Sequence, residues 1–163
     1  MPASRADLFA FLDSLGIAHE TIEHEAVFTV AESAHLRTRI EGGKSKNLFL
    51  KDKKGRLFLL VAEDEAVVDL KRIHEKLGGQ GRVSFGSAEL LYEVWGVTPG
   101  SVTPFGAIND TEKRVTVALD AGLLAKGRVN FHPLQNTATT AVQADDIIRF
   151  LTATGHEPIV LEL

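Results

Sequence analysis

The stretch Gly42-Gly43-Lys44-Ser45-Lys46-Asn47-Leu48-Phe49-Leu50-Lys51, followed by Asp52-Lys53-Lys54-Gly55 and a second apolar run from Leu57 to Ala62, decides the fold. Two short runs rich in Leu and Phe, joined by a charged tetrapeptide that ends in Gly, read as a β-hairpin whose strands are buried on both faces. Lys46 and Asn47 stand at the entrance of the first strand. A cation and an amide carried there are held by a rigid scaffold yet can face a cleft, which makes them the first candidates for a functional site.

Upstream of the hairpin, Ser4 with Asp7 resembles a capping box, and Leu8, Phe11, Leu12 and Leu15 recur at helical spacing, so residues 4 to 15 are expected to form an amphipathic helix ended by Gly16. Residues 17 to 23 alternate loosely as a strand, and Thr29 can cap a second helix through Ala31, Ala34 and Leu36. Downstream, Asp69 can cap a helix carrying Leu70, Ile73 and Leu77 that stops at Gly78-Gly79, and Ser87 one carrying Leu90, Leu91, Val94 and Trp95 before Gly96. Residues 78 to 86 read as a turn. Residues 97 to 106 hold two prolines and two glycines and read as a loop without regular structure. Strands are expected over 114 to 119, 128 to 131 and 138 to 142, then a helix capped near Gln143 to Asp145 and a last strand at Ile159-Val160-Leu161.

The 163 residues suffice for one domain with its own core, and 44% apolar with 25% charged residues is ordinary for a globular chain. With no cysteine there is no disulfide, thiolate nucleophile or cysteine-bound zinc, and a reducing compartment fits. The N-terminal residues lack the apolar core of a signal peptide, and the longest clear apolar run is far too short to span a bilayer, so a cytoplasmic protein without membrane contact is expected. The net charge of -4 argues against general nucleic-acid binding, but the charge is unevenly spread. From Arg37 to Arg56 eight basic residues face two acidic ones, and from Lys71 to Arg82 four face one, leaving an acidic remainder. Such a basic region could steer a limited piece of phosphate backbone to one face. Lysines also guard exposed strands from aggregation, and both readings stand at this point.

Gly43-Lys44-Ser45 invites a phosphate-loop reading, but Thr38 occupies the position of the required upstream Gly, and a strand rather than a helix follows. The six histidines form no i, i+4 pair, so a helical zinc site is excluded, and there is no Gly-x-Ser-x-Gly elbow for a serine hydrolase. His132 differs in its setting: Asn130-Phe131-His132-Pro133-Leu134-Gln135-Asn136-Thr137-Ala138-Thr139-Thr140 crowds hydrogen-bonding side chains between two strands. A turn capped by Asn136 would also account for part of that density.

Three separated motifs in this order carry a resemblance that covers essentially the whole chain: Lys46-Asn47-Leu48-Phe49-Leu50 with its charged turn, Gly100-Ser101-Val102-Thr103-Pro104, and Phe131 to Thr139. The chain resembles the editing-domain family of prolyl-tRNA synthetase, which includes YbaK, and most of all its freestanding alanyl-tRNA(Pro) deacylases, the ProXp-ala or PrdX group. The resemblance implies a mixed α/β single domain, a curved, barrel-like sheet flanked by helices, that hydrolyses the ester joining alanine to the 3′ end of proline tRNA. Such an activity has a physical rationale. A pocket made for proline cannot strongly exclude the smaller alanine, since each methylene is worth only about 1–3 kcal/mol, so a second sieve is needed.

Aminoacyl esters are already activated, and their hydrolysis needs positioning and oxyanion stabilisation, worth roughly 3–4 kcal/mol per donor in other hydrolases. By resemblance, Lys46 is the catalytic lysine at the terminal adenosine phosphate or ester, and Asn47 orients the substrate. Backbone amides of the loop containing Gly100, Ser101, Thr103 and Pro104 hold the carbonyl, while His132 and Asn136 belong to the substrate-binding stretch. The substrate's own 2′-hydroxyl is then implied to help activate water. Lys44, Lys51, Lys53, Lys54 and Arg82 are expected on the phosphates of the tRNA acceptor end. No cofactor or metal is called for. The expected partners are mischarged tRNA and a prolyl-tRNA synthetase that could deliver it, with the protein a monomer or weak homodimer. The rival readings are the same fold acting on cysteine or serine esters, and a non-catalytic module that binds tRNA or a synthetase.

Overall fold

The computed structural model describes residues 2–25 and 41–163. The helix expected from Thr29 and the basic residues Arg37 and Arg39 lie outside the described residues. Among these, the elements run α1 (Arg5–Ser14), β1 (Glu20–Glu23), β2 (Gly43–Lys51), β3 (Leu57–Glu63), α2 (Ile73–Leu77), β4 (Ser84–Phe85), α3 (Ala88–Trp95), β5 (Val115–Asp120), α4 (Ala121–Leu124), β6 (Arg128–Phe131), β7 (Ala138–Gln143), α5 (Ala144–Ala153) and β8 (Ile159–Leu161). Short 3-10 turns occupy Pro99–Ser101 and Pro104–Asn109.

The strands form one mixed sheet in the order β1-β7-β6-β2-β3-β5-β8, with β4 added beside β2. β3 lies inside it, antiparallel to β2 and parallel to β5, and every residue from Leu57 to Ala62 is buried. The two-residue period of the strand divides its side chains between two cores. Leu57, Leu59 and Val61 join Trp95, Phe105, Phe131 and Phe150 on one face, and Phe58 and Leu60 join Leu50, Ile73 and Leu77 on the other. Each such side chain stabilises the fold by about 1.5–3 kcal/mol relative to exposure. The expected doubly buried hairpin thus holds for β3 but only for the second half of β2. Residues 44–48 are half-buried, and full burial begins at Phe49.

β2 is also where the sheet divides. Along one edge it pairs with β3 from Ser45 to Lys51. Along the other it meets β6 only at Gly43 and Lys44, in parallel, and β4 only at Leu50 and Lys51, antiparallel. Residues 45–48 belong to neither of these two ladders, so the sheet forks there among the described residues.

Local chemistry accounts for most of the helices. Ser4 and Asp7 form the reciprocal capping box, and Ser87 Oγ accepts from Leu90 N–H at the start of α3. α2 begins four residues later than Asp69. The Asp69 carboxylate accepts from Lys71 N–H and its carbonyl from Arg72 and Ile73, which closes a turn before the helix. Within the segment expected to lack regular structure, the prolines at 99 and 104 open the two 3-10 turns, because their fixed φ suits a first helical position.

Candidate active site

The fork places Lys46 and Asn47 at its open edge. Neighbours in a strand point to opposite faces, so Asn47 shares a face with Ser45 and Phe49 while Lys46 lies with Leu48 and Leu50. The contacts agree: Asn47 Nδ2 donates to Ser45 Oγ (3.2 Å), and Ser45 Oγ donates to the Asn130 carbonyl (3.3 Å). The Lys46 ammonium donates to the carbonyl of Ala66, in the segment after β3. The expected pair is therefore split across the strand, and only a ligand lying over the unpaired edge could meet both side chains.

Asn47 Oδ1 is buried and has no hydrogen-bond partner among the described residues. A buried amide oxygen without a donor is costly, and it marks a place where a ligand's N–H or O–H would be accepted. The backbone adds to this. Phe49 O turns toward β4 and accepts from Gly86 N–H (3.0 Å), so by alternation the main-chain groups of Asn47 also face the fork.

Across the same core, residues 100–104 are held rigidly. Trp95 Nε1 donates to the Thr103 carbonyl (2.7 Å), and Thr103 Oγ1 accepts from Phe105 N–H (3.3 Å). Gly106 presses on the indole so closely that a Cβ there would stand 2.1 Å from Trp95 Cδ1. Ser101, Thr103 and Pro104 are buried and Gly100 is half-buried. Ser101 N–H is already taken by Thr98 O (2.9 Å), and Pro104 has no N–H, which leaves Gly100, Val102 and Thr103 as the loop's candidate amides for a bound carbonyl.

His132 follows β6, half-buried, with Nδ1 donating to the Ala138 carbonyl (3.0 Å). Burial pushes the imidazole below its ordinary range; the bond to Ala138 opposes this, and the neighbouring His24 adds to it. With Nδ1 as donor, a neutral ring keeps Nε2 as an acceptor. Asn136 is half-buried in the turn before β7.

The sequence reading missed a second set of polar groups here. The His24 ring lies tilted beside that of His132 with 6.2 Å between ring centroids, its Nδ1 donates to Glu25 O (2.7 Å), and Nε2 accepts from Thr139 Oγ1 (2.8 Å). Asn130 Nδ2 donates to the carbonyls of Glu41 (2.8 Å) and Gly43 (3.0 Å), tying β6 to the start of the fork. The crowding of polar residues from 130 to 140 signalled Asn130 and Thr139, but nothing local pointed to His24.

The remaining basic residues divide. Lys44 lies half-buried beside β6, at the fork. Lys51, Lys53, Lys54 and Arg82 are exposed at the far end of β2, about 16 Å from Lys46 at the rise of a strand. Asp52 organises that end: its carboxylate accepts from the N–H groups of Lys54 (2.9 Å), Arg56 (2.9 Å) and Gln80 (2.8 Å), which fastens the turn before Arg82 to the hairpin tip. Burial opposes the charge of Asp52, yet these three amides and the Arg56 guanidinium hold its carboxyl below the usual range.

The sequence profile of the aminoacyl-tRNA editing domain matches residues 24–150. The chain is 35% identical over 164 residues to the prolyl-tRNA editing protein ProX of Acetoanaerobium sticklandii, covering 100% of this chain and 99% of that one. It is 38% identical over 159 residues to prolyl-tRNA synthetase associated domain-containing protein 1 of Danio rerio, covering 96% and 86%. Among solved structures, a hypothetical protein superposes with a TM-score of 0.74 at 19% identity, covering 98% of each chain. Another, described as a candidate trans-editing enzyme for prolyl-tRNA synthetase, gives 0.72 at 21%, covering 99% and 97%. At these identities the two structures speak for the fold.

Proposed function

Because the chain belongs to the aminoacyl-tRNA editing-domain family, and is on that ground a deacylase of mischarged aminoacyl-tRNA, we propose that its substrate is alanine esterified to proline tRNA. The observation that carries the reading is the fork in β2, where, among the described residues, Asn47 offers an unpartnered buried oxygen and Lys46 a cation on either side of one open edge.

In this reading the terminal ribose lies over the edge at residues 45–48. The Lys46 ammonium exchanges the Ala66 carbonyl for the terminal phosphate or the ester, and Asn47 Oδ1 accepts a hydrogen bond from the ribose hydroxyl or the aminoacyl ammonium. An amide of Gly100, Val102 or Thr103 stabilises the oxyanion as water adds to the ester carbonyl. The bond to the ribose 3′-oxygen then breaks, that oxygen takes a proton, and free alanine leaves. The substrate's 2′-hydroxyl relays protons. His132, with Nε2 as acceptor, borders the aminoacyl group in this reading, and the loop that Trp95 anchors has little freedom to yield to a side chain as large as proline.

Release of alanine, cysteine, serine and proline from the same proline tRNA tests the assignment. Alanine is expected to be released fastest by micromolar enzyme; absence of alanine release would overturn it, and faster release of cysteine or serine would reassign the pocket. The exposed cations at the hairpin tip are proposed to contact the acceptor-end phosphates. Substitution Lys53→Ala is then expected to flatten the plot of log KM against log salt by about one unit of slope. An unchanged slope would remove Lys53 from the RNA.

A further inference from the structure

Phe85 is 60% exposed and is the one phenylalanine among the described residues that faces solvent. It does not sit on a loose loop. β4 is clamped to the outer limb of the fork by the pairs Leu50 with Phe85 and Lys51 with Ser84, and by Gly86 N–H donating to Phe49 O. Gly86 lies against the Phe49 ring so closely that a Cβ there would fall 2.3 Å from Cε2, and Ser87 directly caps α3. The ring is thus held in water by rigid structure on both sides.

Its surroundings are cationic and its direction is set by the ladder. Exposed Arg82 precedes it by three residues, and the side chain of Lys53 packs over Gly81. Residues directly opposite in an antiparallel pair share a face, so Phe85 stands on the face of β2 that carries Leu50, Leu48 and Lys46, about 13 Å along the strand from Lys46. A rigid aromatic face between a basic tip and a site for an RNA end is the arrangement by which proteins hold single-stranded nucleic acid, stacking bases while cations track the phosphates.

We propose that Phe85 is a stacking platform for an unpaired base in the single-stranded 3′ end of the RNA whose terminus reaches Lys46. This rests on the editing reading above. The platform is sequence-tolerant, because every base presents a π face, and it sets the distance from the duplex end to the fork.

The test compares two RNA hairpins at one fixed salt concentration, one with a single-stranded 3′ overhang and one blunt. Phe85→Ala is expected to weaken binding of the overhang hairpin roughly tenfold and leave the blunt one unchanged, while Phe85→Trp restores affinity and its fluorescence is quenched by the overhang alone. Circular dichroism confirms that both variants fold. Equal affinity of Phe85→Ala and wild type for the overhang, or equal loss for both hairpins, would overturn the stacking role and leave the editing reading standing. Unchanged RNA affinity with a loss of self-association in sedimentation would assign Phe85 to contact between copies instead. A wild-type protein that binds neither hairpin and releases no amino acid would remove the editing reading, and the platform with it.

Discussion

Lys46→Ala is expected to lower the single-turnover rate of aminoacyl ester hydrolysis by about 10²–10³-fold, the loss seen when one charge-stabilising donor is removed from a hydrolytic site. The fold has little stake in this side chain. It is half-buried, and its described bond is to the neutral carbonyl of Ala66, so the variant should unfold within about 1 kcal/mol of wild type. That separation makes the result informative: a lost rate with an unmoved urea midpoint places Lys46 on the substrate, whereas a wild-type rate would exclude it. Lys46→Arg is expected to recover only part of the activity. A planar guanidinium keeps the charge but presents its donors in a fixed fork, unlike the compact ammonium.

Asp110→Ala is expected to destabilise the protein by about 3–5 kcal/mol. Asp110 and His156 are both buried, with His156 Nε2 donating to Asp110 Oδ2 at 2.9 Å, and the same carboxylate accepts from the N–H groups of Arg114 (3.1 Å) and Val115 (3.0 Å). The histidine ring meets the Trp95 ring edge to face at 5.7 Å, and Trp95 in turn carries the 100–104 loop. Truncation would orphan three donors at once. Burial pushes the Asp110 carboxyl up, but the bond from His156, the two backbone amides and the charge of His156 outweigh it and hold the group below its ordinary 3.8. The sign follows from linkage: a carboxyl depressed in the folded state stabilises it above the unfolded value and loses that contribution as pH falls through the folded one. The difference between wild type and Asp110→Ala in urea denaturation should therefore be full at pH 7 and shrink below about pH 3.8. A constant difference across that range would refute the assignment.

Much of this architecture is written locally. The Ser4–Asp7 box, the Ser87 cap, β6 at 128–131 and the hairpin itself all depend on residues close in sequence, and each forms where the pattern puts it. β4 escaped because two residues cannot display a period, and its partner Leu50 is far away in the chain. α4 escaped for a similar reason: four residues started by the Asp120 side chain accepting from Gly122 N–H resemble any tight turn. The family motifs named the residues of the site, but not their arrangement. That Lys46 and Asn47 lie on opposite faces is implicit in a two-residue period. That the strand there lacks a second neighbour among the described residues is a tertiary fact, fixed by where β6 ends and β4 begins. His24 acquires its role only through Thr139 and His132, over a hundred positions downstream.

The Asp52 turn has a reach beyond the cations it displays. A slip of β2 by one residue against β3 would carry every side chain of β2 to the opposite face, exchanging the cation and the amide and turning Phe49 out of its core. The tip prevents this by fixing the alignment in which Lys51 faces Leu57 and Lys46 faces Ala62, with Asp52 N–H donating to Arg56 O and the carboxylate closing the turn from within. The handedness of the site is thus decided five residues away, by a carboxylate that has no need to meet the substrate.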